Sequence, residues 1–268
     1  MGKPINKQLS STFHGMINKI LDDTNLRIIK QDIDSALVYI PNFEVICIFE
    51  IKRSYIDFQQ WKPFEQDNNN YCALYRLKER ADINKIFVLY YKKEKLNEGI
   101  QVFELVGIEN SKPKFEKKEL YDLNSFKTTF IKDISKKETA IIRETNLQGE
   151  NNRNSIYYYL NTLTNAQNHI YIEKENNWII LISSKNDFMP RCLYREMTGD
   201  LKVQDYVFFT DFTDIIFQNI AKKLKIPYFK FYYNKNNLEE FSLYENEKNE
   251  IKDKKDFISY YLLKLNDE

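Results

Sequence analysis

The chain has 268 residues, 43% of them apolar, with 40 basic and 39 acidic side chains and a net charge of +1. That is apolar material enough for a core, and 6 Gly and 6 Pro are too few for a fibrous or disordered chain. Near-zero net charge excludes a uniformly basic nucleic-acid binder, so any footprint on DNA must be local.

Residues 1–7, MGKPINK, lack the apolar stretch of a secretory signal, and no apolar run approaches the ~20 residues that cross a bilayer. Cys47, Cys72 and Cys192 are odd in number and widely spaced. That spacing argues against zinc and for a reducing, cytoplasmic setting with no membrane partner. Residues 7–23 carry Leu9, Phe13, Ile17, Ile20 and Leu21 at helical spacing and predict a helix. Strands follow at Asn25–Ile29 and Ile33–Ile40, then a turn at Pro41–Asn42. Glu44–Ile51 is a third strand whose unbroken apolar run suits a strand covered on both faces. Residues 55–81 read as helix interrupted at Pro63, and Lys85–Tyr91 and Ile100–Ile108 as strands. The first 92 residues thus read helix, three strands, helix, strand, and the long second helix permits a parallel crossover.

Beyond residue 110 the pattern weakens. A helix is expected at Arg153–Gln167 and a hairpin from His169–Glu175 and Trp178–Ser184. A strand at Tyr206–Phe209, a helix capped by Thr210 or Asp211 that runs to Lys225, and a strand at Tyr228–Tyr233 would make a βαβ unit. The lysine-rich 248–255 reads as a solvated helix face or linker, and Phe257–Leu265 as an amphipathic helix. The fold class is α/β or α+β, a mixed sheet flanked by helices. The expected division is 1–125 and 126–268, with the second part an α/β region serving substrate binding or dimerisation.

The stretch EVICIFEIKR, residues 44–53, puts a carboxylate and an ammonium two positions apart on an otherwise apolar strand. Side chains alternate along a strand, so Glu50 and Lys52 share a face. Asp34 lies 16 positions before Glu50 in the preceding strand, and Asp32 shares its face. Paired strands about 4.8 Å apart would bring an Asp and a Glu together. Two carboxylates, the Ile51 carbonyl and water form a hard-oxygen site for Mg²⁺ or Mn²⁺. Lys52 would then orient a nucleophile or stabilise a pentacovalent transition state.

Asp34 followed by Glu50-Ile51-Lys52, within helix–three strands–helix–strand, resembles the PD-(D/E)XK nuclease superfamily over about residues 7–92. The resemblance implies a restriction-endonuclease-like αβββαβ core and a Mg-dependent deoxyribonuclease. Asp34, Glu50 and Lys52 would be catalytic and DNA the partner, with a homodimer as a further expectation. Ile33 replaces the Pro that usually precedes the Asp. His14, in the first helix, resembles the extra metal ligand of the RecB-type branch. It equally suits a half-buried histidine beside the apolar stripe. That branch also has Gln-x-x-x-Tyr after the Lys strand. Here Gln66 precedes Tyr71 by one position too many, and Asp67 has the right spacing with the wrong side chain.

Other features admit simpler readings. Gln66, Tyr71, Lys92 and Lys93 would contact substrate, or are plain helix and strand-end residues. The aromatics of Ile226–Asn237 with Lys230 and Lys235 could stack on bases, but a half-buried strand explains them better. Asp211 and Asp214 could form a second acidic site serving a nucleotide sensor, though capping explains Asp211 more simply. Against the nuclease stands a catalytically inactive nuclease-fold module that binds nucleic acid or protein.

Overall fold

The computed structural model describes residues 28–135, 139–143, 156, 159, 170–172, 177–234, 236–245 and 248–253. In chain order these form β1 (Ile28–Asp32), β2 (Ser35–Tyr39), β3 (Glu44–Ser54), α1 (Asn68–Ala81), β4 (Lys85–Lys92), β5 (Ile100–Glu109) and β6 (Lys112–Tyr121). Then come α2 (residues 123–134, π-helical over Phe126–Ile131), β7 (Thr139–Arg143), β8 (Ile170–Ile172), β9 (Asn177–Ser184) and β10 (Pro190–Gly199). The last described elements are α3 (Phe212–Leu224), β11 (Tyr228–Asn234), β12 (Asn237–Glu245) and β13 (Lys248–Asp253). The class is mixed α+β. Among the described residues no helix is long and apolar enough to cross a membrane.

Two mixed sheets carry the fold. One has seven strands in the order β6-β5-β4-β3-β2-β7-β8, the other six in the order β1-β9-β10-β11-β12-β13. β3 and β4 are parallel, joined across by α1, and β2 and β3 are antiparallel. β3 reads as unbroken apolar sequence because both its faces are covered. On one side Ile48, Val88 and Tyr90 pack with Leu74 and Leu77 of α1 and with Leu181 and Leu193 of the six-stranded sheet. On the other side Phe49, Phe87 and Leu89 pack with Phe126 and Phe130 of α2. Cys47, Cys72 and Cys192 are buried free thiols.

β1 and β2 are separated only by Ile33 and Asp34, yet belong to different sheets. Ile33 donates its N–H to Ile179 O at 2.9 Å, and with Ser35 the chain enters the seven-stranded sheet. Residues on both sides of 125 contribute to both sheets: β7 pairs with β2, and β9 with β1.

Several expected elements differ. Asp34 is not inside a strand but in the link before β2. The hairpin of His169–Glu175 with Trp178–Ser184 does not form, since β8 pairs parallel with β7 while β9 lies between β1 and β10. Tyr206–Phe209 is not a strand; the parallel partner of β11 is β10, whose mixed sequence PRCLYREMTG hides its burial. The βαβ unit is therefore β10–α3–β11. The charged stretch at 112–121 is the edge strand β6, and Lys248–Asp253 is the edge strand β13 rather than helix or linker. Charged side chains at a sheet edge discourage pairing with other chains, which a search for apolar strands misses. The helices expected at 7–23 and Phe257–Leu265 lie outside the described residues, as does all of Arg153–Gln167 but Ile156 and Tyr159.

Candidate active site

Glu50 and Lys52 lie near the C-terminal end of β3, beside Val88 and Tyr90 of β4. Both point to the side of the sheet that carries α1, by the same alternation that directs Ile48 there. In the β2–β3 register Ser35 faces Phe49, so the next step places Asp34 beside Glu50. The Asp34 carboxylate accepts the Ile51 N–H at 2.6 Å, which ties it to the backbone between the two functional residues. The side chains line a cleft of about 250 Å³ with Ile51, Asn70, and Lys30, Gln31 and Asp32 of β1. The cleft thus opens where the two sheets meet.

Glu50 is 4% exposed and has both oxygens engaged. Lys52 Nζ lies 2.8 Å from Oε1, and Gln31 Nε2 donates to Oε2 at 2.9 Å. Lys52 has a second partner in Asp67 Oδ2 at 2.9 Å, and its ammonium lies 5.8 Å from the Tyr71 ring centroid. Burial first, then the Asp34 charge, pushes the Glu50 carboxyl up to about 8, against the pull of Lys52. Burial works to lower the Lys52 ammonium, but its neighbours, Glu50 foremost, hold it well above the usual lysine range. Burial also raises the Tyr71 hydroxyl. The cleft therefore holds a permanently charged cation beside a carboxylate that ionises reluctantly next to another.

The expected site residues separate into two sets. Asp34, Glu50, Ile51 and Lys52 come together, with Tyr71 buried behind Lys52. Asp32 ends β1 in the other sheet, 3.7 Å from Lys30, and lines the same cleft. Gln66 is exposed and does not line it. Lys92 pairs with Asp57 at 2.6 Å and Glu98 at 2.7 Å, and Lys93 lies 5.2 Å over the Tyr55 ring. Lys92 stands beside Ser54, four residues beyond Glu50, which is about 13 Å along the strand. His14 lies outside the described residues. Two residues escaped the sequence reading. Asp67 was signalled only by its spacing to Tyr71, and Gln31 by nothing, because its approach depends on the change of sheet.

Among the described residues no group of three or more His, Cys, Asp or Glu side chains is placed to hold a metal ion. The donor set still fits a hard cation. Mg²⁺ is ordinarily held by one or two carboxylates and keeps most of its water. Asp34 raises the proton affinity of buried Glu50, a repulsion that a cation between them would relieve. Asp211 and Asp214 serve elsewhere. They form a capping box at the start of α3, and Asp214 meets Arg195 at 2.8 Å and Lys230 at 3.2 Å.

No family model matches the chain, and no curated protein gives a significant match. Weak likenesses exist among solved structures. The C-terminal domain of a sex pheromone staph-cAM373 precursor from Staphylococcus aureus is 13% identical over 77% of this chain and 63% of that one, with a TM-score of 0.15. A sex pheromone precursor from Lactobacillus salivarius subsp. salivarius UCC118 is 10% identical over 79% and 63%, also at 0.15. This chain thus spans 63% of the length of either protein. Likeness at this level carries no argument about fold or function.

Proposed function

We propose that the cleft hydrolyses phosphodiester bonds in DNA with the help of Mg²⁺ or Mn²⁺, as a nuclease of the PD-(D/E)XK type. The observation that carries the reading is the tie between Asp34 and the Ile51 N–H, with Lys52 2.8 Å from Glu50 in the same cleft. The order β2-β3-α1-β4, with β3 and β4 parallel, is compatible with the αβββαβ core; β1 departs from it by joining the other sheet.

In this reading Asp34 and Glu50, with the Ile51 carbonyl, hold the cation. The cation supplies Lewis acidity, acidifying water and neutralising charge on a phosphate. Lys52, held charged by its neighbours, acts as a cation rather than a base. It orients the attacking water or stabilises charge that builds on the phosphate. Gln31 and Asp67 fix the two side chains from opposite sides. The test is a cleavage panel on single-stranded, duplex, flapped and branched DNA with Mg²⁺ and Mn²⁺. Cleavage that disappears in Lys52→Ala supports the reading, and undiminished cleavage overturns it.

A second reading rests on a specific observation: both Glu50 oxygens are already bonded within the protein. A nuclease-fold module that binds nucleic acid or protein without cutting would keep that closed arrangement. It predicts no Mn²⁺ binding and no cleavage of any DNA form.

A further inference from the structure

Asp67 occupies the position where an Asp normally caps a helix. It immediately precedes α1, yet its side chain makes no capping hydrogen bond. An Asp at this position typically stabilises a helix by ~1 kcal/mol through such a bond. The carboxylate instead reaches across to Lys52 at 2.9 Å. Lys52 is thereby held between two carboxylates, with Glu50 at 2.8 Å on its other side. Only one of them, Glu50, shares the cleft with Asp34; Asp67 is not among the residues that line it.

Resting on the nuclease reading above, we propose that Asp67 is a positioning residue that gives Lys52 an alternative partner, so that Glu50 is free to take a cation. A lysine whose only carboxylate is Glu50 competes directly with any divalent ion there. With Asp67 beside it, Lys52 shifts its pairing by a rotation of its flexible end and remains charged next to the site. No backbone movement is required, since both contacts exist at once. Asp67 thereby performs, by charge, a service that the Gln of the related motif could not.

The test titrates Mn²⁺ alone into the full chain by calorimetry, without DNA. Asp67→Asn keeps the shape and removes the charge; it is expected to weaken Mn²⁺ binding about tenfold, within the range of coupling in one ion-pair network. Asp67→Glu, which keeps the charge, restores most of the affinity. In a Lys52→Ala background Asp67→Asn has no effect, because the competitor is gone. An equal loss with and without Lys52, or no loss with it, overturns the proposal. Glu50→Gln separates the two levels. If wild type binds no Mn²⁺, or Glu50→Gln binds as well as wild type, the cation site itself fails and the role of Asp67 with it. Thermal melting of each variant confirms the fold, and Asp67→Asn sacrifices no helix cap because none exists.

Discussion

The molecule buries charge in two places, and they differ in kind. In the βαβ unit Arg195 meets Asp211 at 2.7 Å and Asp214 at 2.8 Å, Lys230 meets Asp214 at 3.2 Å, and Tyr228 donates to Asp214 at 2.8 Å. Two cations face two anions, and α3 caps itself with the same aspartates. In the cleft between the sheets, Asp32, Asp34, Glu50 and Asp67 face Lys30 and Lys52. The first cluster is closed and balanced, which is what a buried ionic network needs to hold a fold. The second has an excess of carboxylate and opens to solvent. Buried charge alone therefore does not mark a site here; imbalance beside an opening does.

The comparison breaks most visibly at Asp214. Asp214→Ala strands Arg195 and Lys230 in the interior, and denaturant unfolding is expected to lose about 3–5 kcal/mol. Lys52→Ala should do the reverse, leaving unfolding nearly unchanged while cleavage falls by ~10²–10³ or more, as when an electrostatic group is removed from a transition state. An equal loss of stability at the two positions would erase the distinction.

Glu50 sharpens it through pH. Its carboxyl, near 4.5 when unfolded and about 8 in the folded chain, binds the proton more tightly in the folded state. Stability from this group is full below about 4.5 and is lost as pH rises toward 8. Glu50→Gln should flatten that slope and gain on the order of 2–4 kcal/mol at pH 8 without metal. Melting curves between pH 5 and 8.5, roughly spanning that window, read the effect. A rising slope in wild type would contradict the geometry. Asp211→Ala removes a helix cap and one partner of Arg195, for a loss of about 1–2 kcal/mol. Smallest of all, Gln66→Ala should change stability by less than about 0.5 kcal/mol and leave cleavage intact, because Gln66 is exposed and outside the cleft.

Much of the first sheet was legible because its signals are local. The run Glu44–Ile51 has to be a covered strand, Pro41 forces the turn before it, and alternation puts Glu50 and Lys52 on one face. The cap at Asp211 is likewise a local event. The edge strands β6 and β13 were not legible, because a strand exposed on its outer side can be built from lysine and glutamate. β10 was missed because Arg195 and Glu196 are buried in it, and burial of charge is set by partners far along the chain. The same holds for Tyr206–Phe209, whose aromatics suit a strand but whose Tyr206 stacks on Tyr232 from a loop, ring centroids 3.7 Å apart.

The sequence by itself determined that Asp34, Glu50 and Lys52 could share a site, since strand periodicity and a short hairpin follow from steric rules that act over a few residues. Tertiary structure alone decided what surrounds them. Only when the chain changes sheets at Ile33 and Asp34 does Gln31 come to bond Glu50, and only when α1 packs on β3 does Asp67 reach Lys52. Those contacts join residues distant along the chain, and no local rule encodes which distant side chain closes a charged cleft.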